Sequence, residues 1–511
     1  MAEVRRKDKN GGNSLKRYIT VPFCALCYTY VGVLLWLMEW VRPLFSVPVI
    51  GLGLIGLYLF AKDPTDRGVV VTKPVFVLCA VLLIVWTILC GSGGFFVQTV
   101  DWDKHNAILR DLILKEWPVY YHNDDSSAML TYYLGQYLVP AAAGKLTNSF
   151  RVGELAMAIW NFTGVFLTTL MLFRVVGADT WRKQVFTLFT LIFFSAVLFL
   201  SRAVYAATSI GVNDVPDVLA LRLGSIYVHF RSNLNVFRWI PTNGPPAWIA
   251  TALFAEHLRS PKYYLLFLAP LLLCASFPFL GLALLMFGLF AVHMALPSTK
   301  NSERLHYWKE CFSVPNLCAF AVLILEIVYL VGNTGGVKPA EAGFALVDFG
   351  TNALIYFCLC LGFAVYSAVI FPVFQRTPLY YIVNASLFLF PFFKYGLLND
   401  LCMNASIPAL FLLMSFVIQG MFQFTAEGRP SYGRATILML LLVWGAIYPV
   451  LELKDSCASG PDWNGTARFS VSESMNDYAR RDGSVRTDLA YNYYTYDYEE
   501  SLFYVWFAKD K

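Results

Sequence analysis

Apolar blocks of about 20 residues recur along nearly the whole chain, and each is long enough to cross the hydrocarbon core of a bilayer as a helix. They fall near residues 21–41, 43–61, 74–96, 152–173, 184–201, 239–257, 263–276, 278–297, 314–331, 351–373, 378–395, 404–424 and 435–451, about 13 in all. Charged residues make up only 14% of the chain, against roughly a quarter in a soluble domain. The predicted fold is an all-α polytopic membrane protein, with interfacial helices in its first large external loop.

Basic residues orient the spans. The leader 1–17 carries Arg5, Arg6, Lys7, Lys9, Lys16 and Arg17, which predicts a cytoplasmic N-terminus and a retained first span with no cleavable signal. Alternation then puts Arg174, Arg182, Lys183, Arg259, Lys262 and Arg304 on the same side, leaving Arg42, Lys338 and Lys394 in short external turns. The membrane domain is expected over 18–451. The long polar stretches all fall outside: a first loop at about 97–150, a second at about 202–238, and a C-terminal tail at 452–511. The tail is expected to pack on the external loops. Plasma-membrane location follows for a bacterial chain, and the endoplasmic reticulum for a eukaryotic one.

Net charge of +5 is too small to argue for nucleic-acid binding. The eleven cysteines are scattered, mostly inside apolar runs, so neither a zinc site nor a disulfide framework is indicated.

The sharpest chemical signal is where the third span leaves the membrane. Asp101-Trp102-Asp103-Lys104-His105 opens a stretch whose apolar residues Ile108, Leu109, Leu112, Ile113 and Trp117 share one helical face, the pattern of a short helix lying flat in the interface. Carboxylates beside a low-dielectric boundary are costly unless paired or functional. Asp101 and Asp103 could act as a general base or ligate a divalent cation, Mg or Mn. The plainer reading is a solvated helix cap. His105 could donate to phosphate or shuttle a proton, or be a helix-surface histidine. Asp124 and Asp125 could supply a second acid, or a simple turn. Lys104, Arg222, Arg231, Arg238 and Lys394 are candidate phosphate ligands, against the commoner role of snorkelling cations. Glu326 is an acid deep in an apolar run, which suits either proton coupling or a bond to a neighbouring helix.

The external acidic motif, the amphipathic helix and the segment Leu130-Thr131-Tyr132-Tyr133-Leu134-Gly135-Gln136-Tyr137-Leu138-Val139-Pro140, followed by many spans, resemble the GT-C superfamily of integral membrane glycosyltransferases. The stretches 101–112, 130–146 and Asn399–Leu410 are similar to bacterial members, and the likeness covers about 20–450. It implies transfer of a sugar from a polyprenyl-phosphate carrier to a glycan, lipid or protein acceptor on the external face, with an acid of the first loop as base or acceptor-orienting group. That role falls on Asp101 or Asp103, with Asp124 or Asp125 as the second acid. The chain departs from the pattern in having two spans before the usual core, in lacking a Pro-Pro after the second acid, and in carrying Asn404 where relatives often have Arg. Competing expectations are a polysaccharide polymerase or ligase, which would lean on external arginines, and a lipid-linked sugar flippase or transporter, which would need a polar path through the membrane and repeated halves.

Overall fold

Every predicted apolar run contains a helix in the computed structural model, which describes residues 20–63, 68–123, 126–196, 221–223, 226–228, 230–295, 301–333, 343–348, 353–396, 399–426, 430–458, 460–461, 474–475 and 493–509. The helices are α1 (Val21–Trp40), α2 (Pro43–Ala61), α3 (Lys73–Leu89), α4 (Trp102–Leu114), α5 (Gly135–Leu146), α6 (Phe150–Val176), α7 (Trp181–Phe193), α8 (Asn233–Trp239), α9 (Gly244–Glu256), α10 (Tyr264–Cys274), α11 (Ser276–Ala295), α12 (Asn301–Cys311), α13 (Val314–Gly332), α14 (Ala353–Phe374), α15 (Pro378–Leu389), α16 (Asp400–Ala405), α17 (Ile407–Phe424), α18 (Tyr432–Ala458) and α19 (Leu502–Trp506). Eight spans among the described residues are long and apolar enough to cross a membrane: α1, α2, α6, α11, α13, Tyr356–Phe374, Asp400–Phe424 and α18. The chain is a polytopic membrane protein. The other predicted runs hold shorter helices, of which Lys73–Leu89, Pro261–Cys274 and Pro378–Phe392 are apolar.

Local chemistry sets the ends of several helices. Thr20 caps α1 by accepting from the Phe23 amide, Ser149 caps α6 through Val152, and Ser232 caps α8 through Asn235. The third span was expected to run to 96 but stops at Leu89. Gly91, Gly93 and Gly94 all take positive φ, which turns the chain out of the helix.

Small residues let the bundle close. A Cβ on Gly32 of α1 would lie 1.9 Å from the Gly135 carbonyl oxygen of α5, and one on Gly281 of α11 would lie 1.9 Å from the Ala405 carbonyl oxygen. Gly144 of α5 and Gly153 of α6 face each other across a notch that receives the Ile113 side chain of α4. Helix α17 runs through the middle of the bundle with nearly every residue buried.

The stretch between α3 and α6 holds more regular structure than the sequence suggests. The apolar stretch 129–146, which the sequence gives as an interfacial or re-entrant segment, divides into the end of a strand and α5. Strands β1 (Tyr120–Asn123) and β2 (Ser126–Leu130) form an antiparallel hairpin. Further short pairs are β3 (Leu221–Leu223) with β4 (Ile226–Val228), and β5 (Ala345–Leu346) with β6 (Phe393–Lys394). The tail supplies β7 (Tyr494–Tyr496), which pairs with β2, so this corner of a mostly helical protein is a three-stranded sheet. Farther along, the Lys509 amide donates to the Trp40 carbonyl at the end of α1. The tail thus packs on the first loop and on α1.

Candidate active site

Two consecutive carbonyls at the end of α8 hold the first turn of α4. The Trp102 indole N–H donates to Arg238 O at 3.0 Å, and His105 Nε2 lies 3.0 Å from Trp239 O. Behind them, Asn106 donates to Gln98, and Gln98 donates to the Gly91 carbonyl in the glycine turn.

This anchoring decides the reading of His105. Nε2 donates to the carbonyl, so Nδ1 accepts from the Tyr137 hydroxyl at 2.5 Å. Burial, then the Lys104 ammonium, push the imidazole down to about 3. A neutral ring with both nitrogens engaged positions its helix; it has no free N–H for phosphate.

Asp101 occupies the N-cap position of α4 but makes no side-chain capping bond. Its carboxylate pairs instead with Lys104 Nζ at 3.5 Å. Burial alone would raise the Asp101 carboxyl, but the Lys104 ammonium and the Arg231 guanidinium hold it below the ordinary carboxylate value. Burial works against the Lys104 charge, yet Asp101, then the Tyr133 and Tyr137 phenols and Asp400, hold its proton more tightly than in an ordinary lysine. Asp101, Lys104, Arg231, Asp400, Tyr133 and Tyr137 therefore form one electrostatic cluster, drawn from the start of α4, the link before α5, α5 itself, the turn before α8, and α16. The Asp101 side chain is still 27% exposed, so the cluster opens on that side.

Arg231 donates to Asn235 Oδ1 at 3.0 Å and points a second N–H at the Met403 sulfur, 3.7 Å away. Its Nε has no hydrogen-bond partner among the described residues. Among the described residues, the guanidinium is thus held by an amide and a thioether.

Other expected site residues lie elsewhere. Asp103 is buried in the first turn of α4, and two positions along a helix diverge by roughly 200° about its axis. Among the described residues no three His, Cys, Asp or Glu side chains converge as metal ligands. Arg238 is buried, and donates to the Glu452 carbonyl of α18 at 2.6 Å. Lys394 is buried in β6 opposite Ala345. Arg222 lies in β3 opposite Tyr227, but its side chain is outside the described residues, as are Asp124 and Asp125 and the leader 1–17.

No protein-family model, curated protein or solved structure matches this chain. The site is read from its own geometry.

Sequence reasoning missed Asp400, Tyr133 and Tyr137 as members of the cluster. All three fall in the stretches that carried the family resemblance, which was the available signal. Asp400 is positioned by Gly396, which has φ of 85° and whose added Cβ would lie 2.7 Å from Asp400 Oδ2.

Farther along α4, Asp111 is fully buried. It accepts from the Tyr121 hydroxyl at 2.7 Å and from the Met475 amide at 2.8 Å, tying hairpin and tail to the helix.

Proposed function

We propose that the protein is a membrane glycosyltransferase of GT-C type that moves a sugar from a polyprenyl-phosphate carrier to a glycan, lipid or protein acceptor. The observation that carries this reading is that the Lys104 ammonium, 3.5 Å away, and the Arg231 guanidinium, 130 positions along the chain, both act on an accessible Asp101 carboxylate beside a membrane bundle. The proposed setting is the external face of the plasma membrane, with about 13 spans, a cytoplasmic N-terminus and an external C-terminus.

The reaction needs three things. The carrier's phosphate leaves with negative charge, which preorganised cations stabilise. The acceptor hydroxyl needs a carboxylate within hydrogen-bond reach. The prenyl chain must remain in lipid while the sugar reaches water. In the proposed reaction Lys104 and Arg231 hold the phosphate, and Asp101 accepts the acceptor's proton as its oxygen attacks the anomeric carbon. A single displacement inverts that centre. Asp400 is the second acid in reach of the same cations. A divalent cation, Mg or Mn, would have to share Asp101 and Asp400 with these two positive side chains.

Donor binding also changes the base. Phosphate would compensate the cations that lower the proton affinity of Asp101, so the carboxylate becomes more basic when the carrier arrives.

One observation favours a second reading, a transporter. Glu326 is fully buried in α13, and neither carboxyl oxygen has a hydrogen-bond partner among the described residues. Incubation of purified protein with radiolabelled polyprenyl-phosphate sugars and candidate acceptors separates the two. Asp101→Asn should abolish carrier turnover and leave the protein folded. Full turnover in that variant would sink the assignment. Carrier movement across vesicles without chemistry would favour transport.

A further inference from the structure

A cavity of about 620 Å³ is separate from the Asp101 cluster. It lies at the other end of α4, about 20 Å along a helix of this length. Leu35 and Glu39 of α1 line it, with Glu116 and Trp117 after α4, Lys145 and Leu146 of α5, and Lys509 of the tail.

Its walls change character along one direction. Leu35 is one helical turn inside Glu39, so the cavity passes from hydrocarbon depth to the end of a membrane span, where Trp40 packs on Trp117 with ring centroids 5.5 Å apart. The Trp117 N–H is already given to the Leu112 carbonyl at 2.7 Å, which leaves the ring as wall. Lys145 Nζ lies 5.5 Å from that ring and also donates to the Lys115 carbonyl. Lys509 Nζ is 3.3 Å from Glu39 Oε2. The rim therefore carries two ammonium groups and two carboxylates, one of which, Glu116, is exposed.

An amphipathic cavity at a membrane boundary with both signs of charge at its rim matches a lipid whose headgroup also carries both. We infer that this cavity binds a phospholipid with a primary ammonium headgroup: acyl chain along Leu35 and Leu146, phosphate at Lys145 and Lys509, ammonium at Glu116. A choline headgroup keeps the charges but has no N–H to donate to Glu116. A glycerol headgroup leaves a net negative lipid facing two carboxylates. Neither fits as well. Burial lowers the proton affinity of Lys145, a cost that a bound phosphate offsets.

The test is native mass spectrometry of the full-length protein in detergent, titrated separately with dioleoyl phosphatidylethanolamine, phosphatidylcholine and phosphatidylglycerol. The expected result is about tenfold tighter retention of phosphatidylethanolamine, about 1.4 kcal/mol. Glu116→Gln should abolish the preference over phosphatidylcholine, and Lys145→Glu should weaken both zwitterionic lipids. Both substitutions are at exposed positions, and unchanged thermal unfolding checks that the fold survives. Equal retention of all three lipids by the wild type, a preference for phosphatidylglycerol, or an undiminished preference in Glu116→Gln would each overturn the inference.

Discussion

His105 should be neutral throughout the physiological range, and that can be measured without knowing the substrate. Its ordinary value is 6.5 and burial beside Lys104 takes it to about 3. The folded state therefore binds fewer protons than the unfolded state below pH 6.5, so stability falls as pH drops through that value and stops falling below about 3. At pH 5 the imbalance spans about 1.5 pH units, at about 1.4 kcal/mol each, or about 2 kcal/mol. His105→Gln keeps one acceptor and one donor on the side chain and removes the titration. In detergent micelles, wild type should lose about 2 kcal/mol relative to this variant between pH 7.5 and 5. The imidazole NMR signal that vanishes in the variant should not titrate over the same interval. Parallel stability curves, or a titration near 6.5, would refute the argument that both ring nitrogens are engaged in a buried site.

Other perturbations follow from contacts on the same framework. Gly396→Ala forces a side chain into positive φ and against Asp400, and should cost about 1–3 kcal/mol by thermal unfolding; a neutral result would mean the turn is not held as described. Gly32→Ala and Gly281→Ala push a methyl into a facing carbonyl and should each cost about 1–3 kcal/mol or more, a larger loss than at Gly51, where an added Cβ meets nothing. Asp111→Ala removes the oxygen that accepts from both the Met475 N–H and the Tyr121 hydroxyl, so the tail should be cut faster in limited proteolysis, at a cost of about 1–3 kcal/mol. If donor phosphate offsets Lys104 and Arg231, the acid limb of kcat should lie at higher pH than that of kcat/KM, since the first reports the loaded enzyme and the second the free one. Coincident limbs would remove the electrostatic link between Asp101 and the phosphate.

The helices were legible in the sequence because hydrocarbon-spanning helices are specified locally, by run length and apolarity. Helix α4 was legible for a similar reason: its apolar face repeats at helical spacing. What could not be read were facts that depend on distant partners. The burial of Asp111 has no local signal because Tyr121 and Met475, which cover it, come from a hairpin and from a tail some 360 positions away. The third strand beside the hairpin, Tyr494–Tyr496, has no local signature tying it to Ser126–Leu130. Asp101 was identified by its position at a membrane exit. Whether it capped a helix or met cations depended on Lys104 and Arg231, and only the first is nearby in sequence. Arg238 was an equal candidate to Arg231 on sequence grounds, seven residues away, but its carbonyl and its side chain are both used to join α4 and α18.

A 13-residue helix lying outside the bundle is marginal by itself. Its placement must come from what grips it, and the grips are at both ends. At the start are the carbonyls of Arg238 and Trp239 and the Tyr137 hydroxyl; near the end are Ile113 in its glycine notch and Asp111 beneath the tail. The contacts at the start also fix the distance between Asp101 and Arg231, because the α8 carbonyls that anchor Trp102 and His105 belong to the segment that carries Arg231. Cutting that link should separate base from cation before it unfolds the protein. Trp102→Phe, which keeps an aromatic ring but loses the N–H to Arg238, is therefore expected to raise the proton affinity of Asp101 toward the ordinary carboxylate value with little loss of fold. An unchanged Asp101 titration in that variant would mean that the helix is positioned by its far end.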